Sequence, residues 1–70
     1  MIEIFKTNVK NKTQAKPILN LLKNMFAEAK INFDLSDCDK ILRVEGIKKS
    51  HSQTIVHDLN KLGFKCEVLN

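Results

Sequence analysis

Apolar residues recur along this chain with two different periods. Runs that alternate every second residue lie at 1–7, 30–36, 40–46 and 64–69, and runs with helical spacing lie at 13–27 and 50–62. Side chains of a strand point alternately to opposite faces, whereas those of a helix return to one face every three or four residues. The order predicted is therefore strand, helix, strand, given twice.

Each run carries its own detail. In the first, Ile2 and Ile4 share one face and are expected inside, leaving Glu3 and Phe5 on the outer face. Thr13 is placed to cap the first helix by accepting a backbone N–H. Pro17 is read as lying near the helix start, where a missing N–H costs least. Ile18, Leu21, Leu22, Met25 and Ala29 form the apolar stripe of that helix. The second strand should turn Ile31, Phe33 and Leu35 inward and Asn32, Asp34 and Ser36 outward, with Asp37-Cys38-Asp39 making the hairpin turn. The third should bury Leu42 and Val44 and expose Ile41, Arg43 and Glu45, with Gly46 at its exit. Ser50 and Gln53 have the spacing of a capping box. Ile55, Val56, Leu59 and Leu62 form the second stripe, and Gly63 suits a left-handed helix end. The last strand should bury Phe64, Cys66 and Val68 and expose Lys65, Glu67 and Leu69.

The order β-α-β-β-α-β is the split βαβ, or ferredoxin-like, motif. Right-handed crossovers then give an α+β fold with a four-stranded antiparallel sheet of order 4-1-3-2 and both helices on one face. One domain is expected to span 1–70. In this layout the loop 7–13, the turn 37–39 and the connection 62–65 share one end, the natural place for a site. The fold hosts many unrelated functions, so function must be sought in loops and surfaces.

Composition narrows the choice. The chain has 70 residues, four Phe and neither Trp nor Tyr, so the core must be largely aliphatic and few apolar side chains are free for other roles. Lys and Arg number 12 against eight Asp and Glu, for a net charge of +4, and Arg43 is the lone arginine. Nucleic-acid readers favour arginine forks and exposed aromatic residues. The third strand, Lys40-Ile-Leu-Arg-Val-Glu-Gly46, has no aromatic residue, so nucleic acid is not the expected partner. No run approaches the ~20 apolar residues of a membrane span, and because the chain opens on a charged strand no leader is expected. Two cysteines, in different elements, fit a reducing compartment, so the cytoplasm is expected.

The tail Asp58-Leu-Asn-Lys-Leu-Gly-Phe-Lys-Cys-Glu-Val68 resembles the closing helix and strand of heavy-metal-associated domains, the copper-chaperone family. Element order and lengths agree along nearly the whole chain. In that family a Gly-Met-x-Cys-x-x-Cys loop supplies two thiolates, which suit Cu(I), at the start of the first helix. Aligning the apolar residue of the loop with Val9 puts the two cysteine positions at Asn11 and Gln14 and the glycine at Asn8. The thiolate pair is absent, so the family's metal chemistry does not carry over to these residues. Phe64 matches the aromatic position beneath the metal loop, and equally reads as a core phenylalanine.

Other chemistry is sparse. Cys38, flanked by Asp37 and Asp39, offers one thiolate and two carboxylates, a thin ligand set for zinc or copper. Cys66 should face the core as a small hydrophobe. His51 and His57 point to different faces of the second helix and read as surface residues. No nucleophile and base fall together at one end, and two glycines make no phosphate cradle. An acylphosphatase-type site would need an arginine near Asn8 or Asn11, but Arg43 lies in the third strand.

The expected function is thus a non-enzymatic, cofactor-free binding module for a protein. Lys10, Lys12, Lys16 and Lys65 at the loop end would meet an acidic surface. Phe5 and Ile41, with Leu69, would form an apolar patch for self-association on the open sheet face. An edge strand, the second or the fourth, could also pair with a partner strand. The alternative is a copper- or zinc-binding chaperone-like protein using Cys38 and its neighbours. A small acylphosphatase-like enzyme is the fainter third.

Overall fold

The computed structural model describes residues 2–36 and 38–69. Its elements are β1 (Ile2–Thr7), α1 (Lys12–Met25), β2 (Lys30–Asp34), β3 (Ile41–Glu45), α2 (His51–Lys61) and β4 (Cys66–Val68). All strand pairs are antiparallel, and the sheet order is β2-β3-β1-β4. This is the expected 4-1-3-2 order read from the other edge, so the chain has the ferredoxin-like α+β fold.

The inner face of the sheet carries Phe5, Leu42 and Val44, all fully buried. Against it pack Ala15, Ile18 and Leu22 of α1 and Ile55 and Leu59 of α2, in one cluster. Ile31 and Phe33 of β2 and Cys66 and Val68 of β4 are half-buried on the flanks of that core, and so is Leu35 just beyond β2. The alternation expected for β2, β3 and β4 is the alternation found.

Strand β1 is inverted relative to expectation. Phe5 is 0 % exposed and Ile2 is 51 % exposed, so Phe5 is core and takes no part in the open face. The pairing shows the cause. Phe5 stands between Leu42 on β3 and Val68 on β4, and paired residues share a face. Residues of the same parity continue inward: Thr7 is buried and Val9, past the strand end, is sealed. Choosing Ile2 and Ile4 instead would expel Phe5 and Val9 together, because a one-residue shift reverses every side chain. Glu3 is the accompanying burden, a buried carboxylate at 1 % exposure.

Helix ends differ in detail. Asn11, not Thr13, caps α1: its backbone is extended (φ −153°, ψ 173°) and its side chain accepts from the Gln14 N–H. Pro17 therefore sits in the second turn, where its missing N–H leaves the Thr13 carbonyl without its helical bond. Ser50 is helical in backbone and makes no side-chain cap. The His51 and Ser52 N–H groups donate instead to the Lys48 and Lys49 carbonyls, and His51 Nδ1 accepts the Lys48 N–H at 3.3 Å while its ring lies 5.0 Å from that of Phe26. The Oγ of buried Ser52 has no hydrogen-bond partner among the described residues. Met25 and Leu62, placed in the apolar stripes by their spacing, are 39 % and 46 % exposed at the helix ends.

The end of α2 is as expected. Gly63 has φ +92°, its N–H donates to the Asn60 carbonyl, and the Phe64 N–H reaches back to Leu59. This pair of bonds is the Schellman arrangement, which needs a left-handed residue at the glycine position.

Candidate functional site

The three connections predicted to share one end do so, and Thr7 ties two of them together. Its N–H donates to the Asp39 carbonyl at 3.2 Å and its Oγ1 donates to the Lys40 carbonyl at 2.6 Å. The same Oγ1 accepts the Val9 N–H at 3.3 Å. The third connection is held by Asn8, whose Oδ1 accepts the Lys65 N–H at 2.8 Å. Lys40 takes a left-handed backbone (φ 48°) and its Nζ donates to the Leu35 carbonyl at 3.0 Å. The loop after β1 is thus pinned from both sides.

Asn11 and Gln14 carry a reciprocal amide cap. Asn11 Oδ1 accepts the Gln14 N–H at 2.9 Å, and Gln14 Oε1 accepts the Lys10 N–H at 2.9 Å. The first N–H groups of a helix have no partner within it, and side-chain oxygens at the cap and three residues on can satisfy them. The spacing that would let two thiolates converge is the same spacing that lets two amides close this box. Both side chains are committed to the backbone.

The other candidates separate. Cys38 is exposed. Asp39 is half-buried, with Oδ1 3.7 Å from Lys6 Nζ. Asp37 lies outside the described residues. Among the described residues no three His, Cys, Asp or Glu side chains come together as a metal-binding group. Cys66 is half-buried beside a cleft of about 320 Å³ lined by Lys6, Thr7, Asn8, Lys65 and Glu67. Burial pushes its thiol from 9.0 up to about 12, and the neighbouring Glu67 carboxylate adds to the rise. It is a poor nucleophile near neutral pH, since only the thiolate attacks. His57 is exposed, while Arg43 lies on the open sheet face opposite Ile4 and Asn32, away from Asn8 and Asn11.

The lysines do not form one ring. Lys10 stands on the loop and Lys65 beside the Cys66 cleft. Lys12 and Lys16 sit one turn apart on α1 and rim a larger cleft of about 650 Å³. Its wall on the helix side is Ala15 and Leu19, and its floor is Ile31, Phe33 and Leu35. The cleft exists because β2 is an edge strand: α1 covers the inner face only in part, so the inward side chains of β2 are half-buried rather than sealed. Alternation had marked these residues as core. The signal that they are a cleft floor is topological: the expected sheet order already put the second strand at an edge.

The open face is mixed. Ile41 is half-buried there beside Lys6, and the half-buried Leu69 is tied to Ile4 by an N–H to carbonyl bond of 2.8 Å. Lys30, Arg43, Glu45 and Glu67 intersperse these apolar residues. No helix among the described residues is long and apolar enough to cross a membrane. No family model matches the chain, and no curated protein or solved structure matches it.

Proposed function

We propose that this chain is a non-enzymatic protein-interaction module, resembling a heavy-metal-associated domain in layout, whose partner is acidic. The observation that carries this reading is the charge distribution around α1. From Ile4 to Ala27 the sequence holds Lys6, Lys10, Lys12, Lys16 and Lys23 and no acidic residue. Two of these lysines overhang an apolar cleft. A cation at the rim of an apolar depression raises the encounter rate with an acidic partner, while the apolar floor supplies retention. The amide cap at Asn11 and Gln14 supports the same reading, because it gives the aligned thiolate positions a different task.

The rival reading is metal transfer through Cys38 and its neighbours. Calorimetric titration of the reduced chain with Cu(I) and Zn(II), repeated on Cys38→Ser, separates the two. Weak binding that does not depend on Cys38 is expected. Stoichiometric submicromolar binding that disappears in Cys38→Ser would overturn the interaction-module reading.

A further inference from the structure

We infer that the occupant of the α1–β2 cleft is an extended acidic segment of a partner protein, added to the sheet as a fifth strand along β2. This deepens the interaction-module reading and rests on it. Among the described residues β2 pairs only with β3, and its register from Lys30↔Glu45 to Asp34↔Ile41 is unbroken. Natural sheets protect an edge with charged side chains, prolines, bulges or very short strands; β2 has charges only at its two ends, Lys30 and Asp34. The other edge, β4, has three residues, whereas β2 has five, no proline, no glycine and no bulge. Among the described residues no further strand lies along the outer edge of Lys30–Phe33, and a strand added there would gain main-chain hydrogen bonds.

The cleft fits such a strand. Every second side chain of an added strand points to the helix side of the sheet, beside Ile31 and Phe33. That is the side on which Leu19 and Ala15 form an apolar wall. The charges select the partner. Lys12 and Lys16 fall on the same stripe of α1 as Leu19 and stand over the path of the added chain. Helix α1 carries no acidic residue, and with Asp34 as the acidic side chain on the cleft lining Lys12 and Lys16 still leave it net positive. Glutamate or aspartate at intervals along the incoming segment would meet them.

A second copy of this chain is the competing occupant. The strand Lys30-Ile-Asn-Phe-Asp34 is self-complementary when paired antiparallel about Asn32, with Lys30 opposite Asp34 at both ends. The helices decide against it. A continuous sheet formed that way would set the two α1 helices side by side, and Lys12, Lys16 and Lys23 of one would face the same lysines of the other. Like charges brought together oppose the pairing. An acidic strand removes that conflict.

The probe is a synthetic peptide of about seven residues whose odd positions, which share one face, alternate glutamate with valine and whose even positions are threonine, a length that spans β2, titrated into isotope-labelled chain to millimolar concentration. A lysine–valine peptide is the control. We expect shifts concentrated at residues 30–36 and on the cleft side of α1, with slowed exchange of β2 amides and nuclear Overhauser contacts from the peptide backbone to β2. Lys12→Glu with Lys16→Glu, both exposed, should lower the affinity at least about tenfold and reverse the preference between the two peptides. Three results would overturn the inference: no binding of the acidic peptide at millimolar concentration, shifts confined to the open face or the Cys66 cleft, or a free chain that is already a dimer through β2. None of these requires metal binding. The metal titration decides the broader reading separately.

Discussion

Replacing the amide cap by a thiolate pair tests what the start of α1 is built to do. In a Cys38→Ser background, Asn11→Cys and Gln14→Cys remove two hydrogen bonds, each 2.9 Å long. Loss of an N-cap oxygen typically costs about 1 kcal/mol. Loss of the second, solvent-exposed bond costs roughly 0.5–1 kcal/mol more. The sum, about 1.5–2 kcal/mol, is a large share of the stability of so small a domain, on the order of 4–10 kcal/mol. The expected melting temperature falls by roughly 6–15 °C. With no tryptophan in the chain, far-ultraviolet circular dichroism during urea unfolding is the suitable readout. Under reducing conditions Cu(I) should then restore the loss, because two soft ligands at a helix N-terminus match its chemistry. A hundredfold excess over the dissociation constant returns about 2.7 kcal/mol. An unchanged urea midpoint in the metal-free variant would show that the amide box carries no stability. A variant that loses stability yet ignores copper would show that the loop does not have the geometry the family resemblance implies.

Two further outcomes follow from burial. Phe5→Ala should destabilise by about 3–5 kcal/mol, a large share of the total stability, whereas Ile2→Ala should change stability by less than about 1 kcal/mol, measured by the same urea unfolding; equal effects would contradict the orientation of β1. Cys38 should alkylate readily at pH 8 while Cys66 reacts only as the chain opens, because its folded thiol titrates near 12. The folded state binds that proton more tightly than the unfolded one, so this contribution is complete below pH 9 and is lost as pH rises toward 12. Mass spectrometry of pulse-labelled protein reads the first, and a fall in stability over that alkaline window, reduced in Cys66→Ala, reads the second.

The fold was legible because its elements are long enough to show their periods. Leu42 and Val44 stand clear on β3, Ile18 and Leu22 on α1, and Ile55 and Leu59 on α2, and all are sealed. Strand β1 was misjudged on local counting: two isoleucines outweigh one phenylalanine when only residues 2–5 are compared. The deciding contacts, Leu42 and Val68 on either side of Phe5, are distant in sequence. Extending the parity through Thr7 to Val9 would have given the right answer. The α1 cap falls at Asn11 rather than Thr13, and Ser50 holds the N-cap position of α2 without a side-chain bond, because Ser and Thr are strong caps by type and type says nothing of whether the backbone at that residue is extended. Asn11 is extended and Ser50 is helical. The cleft was hidden for another reason: alternation reports which face a residue points to, not whether anything covers that face.

The cap and the cleft are linked through the chain. A helix of 14 residues with a proline in its second turn is poorly supported by intrinsic propensity. Its first turn therefore depends on the bonds made by Asn11 and Gln14, and that first turn carries Lys12 and leads into Lys16. Two thiolates holding a cation at the same place would put positive metal and negative sulfur beside these lysines and make the ion the feature a partner reads. With amides there instead, the cap itself is uncharged and self-satisfied, and Lys12 and Lys16 carry the positive charge of that flank. On the proposed reading, recognition lies about one helical turn, roughly 5 Å, from the loop, on the side of α1 that faces the edge of β2. Weakening the cap should then weaken peptide binding even with every lysine in place, because a frayed first turn no longer holds Lys12 over the cleft.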